Sequence, residues 1–342
     1  MFTDATAKSG IDNRDRAVAA VFGDVDGDGD PDLFVSNFMA KNRLWLNRGD
    51  GTFTECAAER GVDEPVASGP AGFFDADGDG DLDLLVTYQH HYRQIRSVAA
   101  YYIDGKVEDD AQRLFLNDGT GHFNDAAERL GMRRVLMATG LNFGDIDADG
   151  RQDVYVATGA HDLAALFPNV LLLGGDRFRD ATFAAGVGHL QKGNGVAFAD
   201  IDDDGDLDLF CQVGGFYQDD AFGDVFFENP GHGRHWLAVD LQGKKDNRFG
   251  IGARIRARVQ APGGPRDVFA FVGPGAASGC NPLRAFLGLG DATAVEFVEV
   301  RWPIGGVQKV DGVPLDCGIR IAQDRAACER LERAPLRLGS GN

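Results

Sequence analysis

Short apolar runs recur along the first two thirds of the chain, each cut off by glycine, aspartate or asparagine. Four of them, at residues 17–22, 69–74, 138–143 and 193–198, lead into an acidic stretch. A second run follows at 33–35, 84–86, 154–156 and 209–211, and a third at 43–47, 113–117, 169–173 and 225–229. A fourth stands at 53–55, 123–125 and 178–180, in the first two cases after a glycine-rich turn. Runs this short, bounded by turn residues, predict strands rather than helices. The pattern repeats roughly every 50 residues, and four short antiparallel strands per repeat make one blade of a β-propeller. The segment Phe2-Thr3-Asp4-Ala5-Thr6 repeats the fourth-run pattern of Phe178-Arg179-Asp180-Ala181-Thr182. It is expected as an outer strand of the last blade, closing the ring and removing a free edge.

From His235 the pattern changes. Runs at 236–241, 251–259, 267–272, 285–289, 295–302 and 307–310 read as strands without acidic connections. Residues 324–333 read as a short helix and 334–342 as a loose tail. The expected fold is an all-β propeller of roughly six or seven blades, with the C-terminal strands completing the ring or forming an appended β unit. The expected organisation is repeats over 1–232, a second β segment over 233–322, and a helix or tail over 323–342.

The four acidic stretches share the pattern D-x-D-x-D-G-x-x-D. The first carries Asp24, Asp26, Asp28, Asp30 and Asp32; the second Asp75, Asp77, Asp79, Asp81 and Asp83. The third carries Asp145, Asp147, Asp149 and Asp153; the fourth Asp200, Asp202, Asp204, Asp206 and Asp208. Carboxylates so spaced, with a glycine at position 6 for the sharp turn, can wrap one hard cation in oxygen, the preference of Ca²⁺. An EF-hand also begins this way but needs a Glu at position 12 and helical flanks. Here position 12 is Val35, Val86, Val156 or Cys211. About four structural Ca²⁺ ions are therefore expected, with the Asp side chains as ligands rather than acid/base pairs.

The formal net charge of −19 is concentrated in these stretches, and four divalent cations would offset part of it. The acidity thus needs no basic partner, and it argues against nucleic-acid binding, which uses basic stripes. The five cysteines, Cys56, Cys211, Cys280, Cys317 and Cys328, form no CxxC pair and no even disulfide framework. Free thiols are expected, with one disulfide among the last three left open. There is no apolar run of membrane-spanning length, and the first residues show no signal-peptide pattern. A cytoplasmic protein is expected, or a secreted one if the chain is a mature form.

The sequences Val21-Phe22-Gly23-Asp24-Val25-Asp26-Gly27-Asp28 and Phe143-Gly144-Asp145-Ile146-Asp147 resemble FG-GAP/VCBS propeller repeats. Ile251-Gly252-Ala253-Arg254-Ile255, Leu287-Gly288-Leu289-Gly290-Asp291-Ala292 and Val298-Glu299-Val300-Arg301-Trp302-Pro303 resemble an ASPIC/UnbV segment. The order of the two is similar to that of the cartilage acidic protein family. The resemblance implies a calcium-bearing propeller, usually secreted and linked to binding or adhesion, with relatives among natural-product biosynthetic proteins. This chain departs from the pattern by its length, by lacking a signal peptide and by an insertion at 89–112.

On a blade, the connection between strands one and two lies on one rim, and the connections between strands two and three lie on the other. The calcium loops are thus expected on one face and a ligand funnel on the opposite one. That face collects His90, His91, Tyr92 and His161 as candidate general acids or bases near neutral pH. Arg93, Asp162, His189, Lys192, Phe216 and Tyr217 are candidate ligand contacts there. No GxSxG elbow, P-loop or dinucleotide fingerprint is present. Two functions fit. One is a calcium-stabilised propeller binding a small molecule or glycan. The other is an intracellular, cofactor-free cyclase, isomerase or lyase acting on a natural-product-like metabolite. The oligomeric state is not encoded in these patterns.

Overall fold

The computed structural model of the chain describes residues 2–89, 100, 101, 103–105, 111–159, 167–215, 222–273, 275–304, 306–332 and 336. Each acidic stretch is the connection of a β-hairpin that opens one small antiparallel sheet. Sheet one is β1 (Arg16–Gly23), β2 (Asp32–Phe38), β3 (Arg43–Asn47) and β4 (Phe53–Glu55). Sheet two is β5 (Ser68–Phe74), β6 (Asp83–Tyr88), β7 (Arg113–Asn117) and β8 (Phe123–Asp125). Sheet three is β9 (Ala138–Gly144), β10 (Asp153–Thr158), β11 (Val170–Leu173) and β12 (Arg179–Asp180). Sheet four has three strands, β13 (Gly193–Ala199), β14 (Asp208–Val213) and β15 (Val225–Phe227). In every sheet the ninth residue of the acidic stretch pairs with the residue just before its first Asp, as Gly23 does with Asp32. The register of each hairpin then slips near the end away from the acid, as at Ala17/Ala19 and Gly193/Val196. Such bulges sharpen the twist that lets sheets stack as blades.

The blades stack through equivalent residues. Phe22, Phe73, Phe143 and Phe198 each precede the first Asp of a loop by two residues. Phe34, Leu85, Tyr155 and Phe210 each follow the ninth residue by two. Where one blade meets the next, the second-strand residue packs on the next blade's first-strand Phe. Phe34 meets Phe73 edge-on at 6.3 Å between ring centroids. Leu85 shares a core with Phe143, and Tyr155 with Phe198. Full burial of such side chains stabilises by about 1.5–3 kcal/mol each.

The C-terminal strands form two further sheets. β16 (His235–Gln242), β19 (Ala285–Gly290), β22 (Cys317–Ala322) and β23 (Glu329–Leu331) are ordered β19-β16-β22-β23. β17 (Arg254–Gln260), β18 (Arg266–Phe271), β20 (Ala294–Trp302) and β21 (Gly306–Asp311) are ordered β18-β17-β20-β21. Leu237, Ile319, Ile255 and Val298 from the two sheets share one core, so this is a sandwich.

The architecture is β-propeller-like, and it corrects three expectations. The described residues form four blades, not six or seven, and the C-terminal strands make the appended unit. A parallel pair such as β16 with β22 needs a crossover that an up-and-down blade lacks. The helix expected at 324–333 is in part strand β23, because pairing with β22 overrides helix propensity. The N-terminal residues do not join the last blade. They lead into a single helical turn, α1 (Thr6–Ser9), and Ile11 packs on Leu33, Val35 and Trp45 of sheet one. Among the described residues no helix is long and apolar enough to cross a membrane.

Candidate metal centres and the chamber above them

The loop geometry follows from two left-handed residues per acidic stretch. Position 6 is Gly29, Gly80, Gly150 or Gly205, with φ between +89° and +97°. Position 4 is Gly27, Gly78, Ala148 or Asp203, with φ between +54° and +77°. The N–H of position 6 then donates to the first Asp, as Gly29 does to Asp24 at 3.0 Å and Gly150 to Asp145 at 2.9 Å.

This turn gathers carboxylates. Asp24, Asp26 and Asp32 bring oxygens within 4.8 Å of one another, as do Asp75, Asp77 and Asp83, and Asp145, Asp147 and Asp153. In the fourth loop the group is Asp200, Asp202 and Asp204. The expected ligands are not all gathered. Asp28, Asp79 and Asp149 stand outside the triads and accept the position 7 N–H, as Asp79 does from Asp81 at 2.9 Å. Asp30 and Asp206 lie against Gly49 and Gly231, and Asp81 pairs with Arg254 at 3.1 Å.

The ninth residue has a role that the spacing did not reveal. Asp83 accepts the Ala76 N–H at 2.8 Å and the Asn117 N–H at 2.9 Å, tying the loop to the end of the third strand. Asp32 does the same with Val25 and Asn47, Asp153 with Ile146 and Gly174, and Asp208 with Ile201 and Asn229.

Without a cation these acids are poorly placed. Burial, ahead of repulsion from Asp77 and Asp75, pushes Asp83 up to about 8 against the pull of its N–H partners. Burial also pushes Asp32 and Asp75 up to about 7, Asp145 to about 8 and Asp200 to about 6. Among the described residues, one buried carboxylate oxygen in each loop has no hydrogen-bond partner: Oδ1 of Asp24, Asp77, Asp147 and Asp202. Of these four, again among the described residues, Asp147 alone has an ion pair there, with Arg234 at 2.8 Å. Clustered oxygens, raised carboxyls and unmatched acceptors fit a hard divalent cation, which removes all three penalties together.

Neighbouring loops are physically joined. The Asn117 side chain donates to Val25 O of loop one at 2.7 Å and to Leu82 O of loop two at 3.1 Å. Arg151 of loop three donates to Asp77 O of loop two. Asn229 donates to Ile146 O of loop three at 2.8 Å and to Leu207 O of loop four at 3.1 Å.

The sandwich sits on this rim. A Cβ at Gly29 would meet the Pro303 carbonyl at 2.5 Å, and one at Gly80 would meet the Phe269 ring at 2.7 Å. At Gly150 it would meet Arg266, and at Gly205 it would collide with the Trp236 indole. Position 6 is therefore glycine for its conformation and for the close approach of the sandwich. Gly80→Ala is expected to cost about 2 kcal/mol or more from the left-handed backbone and the collision together. A denaturant midpoint unchanged from wild type would refute this contact.

The connection between β18 and β19 reaches the blades' first strands. Ala277 N–H donates to Ala71 O at 3.2 Å, and Val196 N–H donates to Ser278 O at 3.1 Å. Asn281 accepts the Phe198 N–H at 2.9 Å and donates to Phe143 O at 2.7 Å, joining blades three and four. Between rim and sandwich lies a cavity of about 1430 Å³. Its walls include Phe22, Phe271, Phe286 and the charged groups Arg254, Arg284, Arg301 and Asp240. Arg284 is held by Asp240 through two bonds of 2.9 and 3.0 Å, with Asp203 at 3.6 Å.

The candidate residues of the opposite face fare differently. His90, His91, Tyr92, Arg93, His161, Asp162, Phe216 and Tyr217 lie outside the described residues. His189 Nδ1 accepts the Gln191 N–H at 3.2 Å. Lys192 is buried, with its stem against Gly159, so it does not offer an open ligand contact. All five cysteines are free, and burial pushes the Cys211 thiol up to about 12.

Comparison with known proteins agrees with the loops and the sandwich. An FG-GAP-like repeat pattern matches residues 24–86 and 98–156, and the ASPIC and UnbV pattern matches 243–327. Cartilage acidic protein 1 of Homo sapiens is 26% identical over 345 residues, covering 99% of this chain and 49% of that protein. The Mus musculus protein is 25% identical over 347 residues, covering 99% and 50%. The Xenopus tropicalis protein is 26% identical over 281 residues, covering 81% and 40%. The chain spans about half the length of the curated relatives it matches. Among solved structures, a mutant of AofleA from Arthrobotrys oligospora overlaps 89% of this chain and 75% of its own. Its TM-score is 0.32 at 9% identity, too low to carry an argument.

Proposed function

We propose, for a chain that belongs with the proteins joining FG-GAP-like repeats to an ASPIC and UnbV domain and is homologous to cartilage acidic protein 1, a calcium-stabilised ligand-binding module. Ca²⁺ is the ion of choice because every side-chain donor in the four triads is a carboxylate oxygen. The ions hold the hairpins and the seat of the sandwich. The ligand is a small molecule or glycan, bound in the chamber between rim and sandwich rather than on the opposite face. The observation that carries this reading is the chamber itself, which sets aromatic walls beside fixed arginines and carboxylates. Aromatic faces suit the apolar side of a sugar or metabolite, and fixed ionic groups orient its polar edge. An exported setting fits, since calcium is abundant there and the relatives are named for cartilage. The binding reading rests on the chamber's geometry; the acid/base candidates of the enzymatic alternative, His90, His91, Tyr92 and His161, lie outside the described residues.

The test is a thermal-shift screen of the calcium-loaded protein against oligosaccharides and aromatic carboxylates. A binder should raise the melting temperature, and Arg301→Ala or Phe271→Ala should weaken that effect about tenfold or more in concentration. If binders act equally well on both variants, the chamber is the wrong site. If nothing in either class binds, the proposed ligand class falls.

A further inference from the structure

Loop four gathers its carboxylates differently from the other three. Its cluster is Asp200, Asp202 and Asp204, positions 1, 3 and 5, where the others use positions 1, 3 and 9. The ninth residue, Asp208, is buried and keeps its two N–H partners, those of Ile201 and Asn229. Asp204 is exposed, so this cluster opens toward solvent. Asp202 completes it from within: the residue is only 7% exposed, and its buried Oδ1 has no hydrogen-bond partner among the described residues. Loop four is also the one with a carboxylate at position 4, Asp203, which lies 3.6 Å from Arg284.

A second cavity, of about 540 Å³, opens on this loop. Asp200, Asp203 and Asp204 form part of its wall, and among the described residues loops one to three contribute nothing to it. Trp236 lines it and is fixed there, stacked on Phe286 at 6.2 Å between ring centroids and packed beside Gly205. The described walls hold five carboxylates, those of loop four with Asp316 and Glu332, against two arginines, Arg284 and Arg330. Asp316 is held by His235 Nδ1 at 2.8 Å. A divalent ion in loop four therefore leaves no positive excess to draw in an anion.

We propose that loop four is a second binding site, where a cation takes two neighbouring hydroxyls of an uncharged sugar from this cleft. The site rests on the calcium of the proposed function and not on the chamber. Ca²⁺ takes about six to eight oxygens, so three carboxylates leave positions open, and the exposed Asp204 turns them toward the cleft. Sugar hydroxyls suit such a place because they give lone pairs to the ion and hydrogens to ionised carboxylates, which only accept. The Trp236 indole supplies the apolar wall that the C–H side of a sugar ring needs. In the other three loops the third carboxylate is the buried ninth residue, tied to the strands, so those ions serve the fold.

The test is terbium luminescence of the full chain, with Tb³⁺ standing in for Ca²⁺. Emission lifetimes in light and heavy water count the waters on each ion. One ion should carry about two more waters than the rest, and Trp236→Phe should dim that ion's indole-sensitised emission. Methyl mannoside, methyl galactoside and methyl fucoside are then added in turn. At least one should displace about two waters from that ion, and its fully O-methylated form should displace none. Asp204→Asn, at an exposed position, should abolish the sugar response and spare the other ions. Asp79→Asn, the same position in loop two but outside its cluster, should leave the response intact. Equal hydration of all bound ions overturns the proposal, as does a sugar response that survives Asp204→Asn. Bound Tb³⁺ with no response to any of the three sugars overturns this site alone, whereas a chain that binds no Tb³⁺ overturns the calcium reading with it.

Discussion

Removing divalent metal with a chelator lowers the melting temperature by on the order of 10–20 °C. An ion held only by the folded chain stabilises by about 2.7 kcal/mol at a hundredfold excess over its dissociation constant. Four such sites act on hairpins that also seat the sandwich, about 11 kcal/mol together, and each kcal/mol moves the melting point of a chain of 342 residues by roughly 1–2 °C. Differential scanning calorimetry with and without chelator measures it, and coincident transitions would remove the structural role of the ions. The metal-free chain should also respond to pH in an unusual sense. Asp83, Asp75 and Asp32 titrate at about 7 or 8 in the fold, above the ordinary 3.8. A raised carboxyl destabilises the fold once ionised, and the penalty grows from about pH 4 to about pH 8. The chelated protein should therefore melt higher at pH 5 than at pH 8. With metal present the order reverses, because protons compete with the ion for the same oxygens.

Asp83→Ala is expected to be the most damaging single change in a loop. It deletes a member of the oxygen cluster and strips the partner from two buried N–H groups, those of Ala76 and Asn117. Each stranded donor costs about 1–3 kcal/mol, so roughly 2–6 kcal/mol is lost before any effect on the ion. Asp79→Ala, outside the triad, should cost far less. Denaturant titrations of the two variants in chelator isolate the hydrogen-bonding part. Equal losses for the two would show that the ninth residue is only a ligand.

The parts that were legible in the sequence are local. A loop whose ligands lie within nine residues, set between two short apolar runs, encodes its own hairpin. Asp24 to Asp32 could be read without knowing what surrounds them. The left-handed position 4 was not legible where it is Ala148 or Asp203, since neither residue type announces a turn as glycine does. The chamber was hidden for a different reason. It joins Arg254 to Asp81 and Asn281 to Asn142, pairs separated by 173 and 139 residues, and no spacing rule links them. The blade count failed because strand-like runs after His235 look alike whether they form a meander or a sandwich. The N-terminal segment reads as a fourth strand from its residues but forms none here, because local pattern does not decide whether a sheet edge lies within reach.

The ties between neighbouring loops have an effect on how the sites fill. Asn117, Arg151 and Asn229 fasten loop one to two, two to three and three to four. A loop that tightens around an ion draws the same carbonyls that shape the next loop, so the ordering of one site is partly done for its neighbour. Cations filling these loops are therefore expected to load as one cooperative array, over a narrower span of concentration than four independent sites would, which a calcium titration by calorimetry would read. The rim passes as a unit between a loose state and a set one, carrying the floor of the chamber with it.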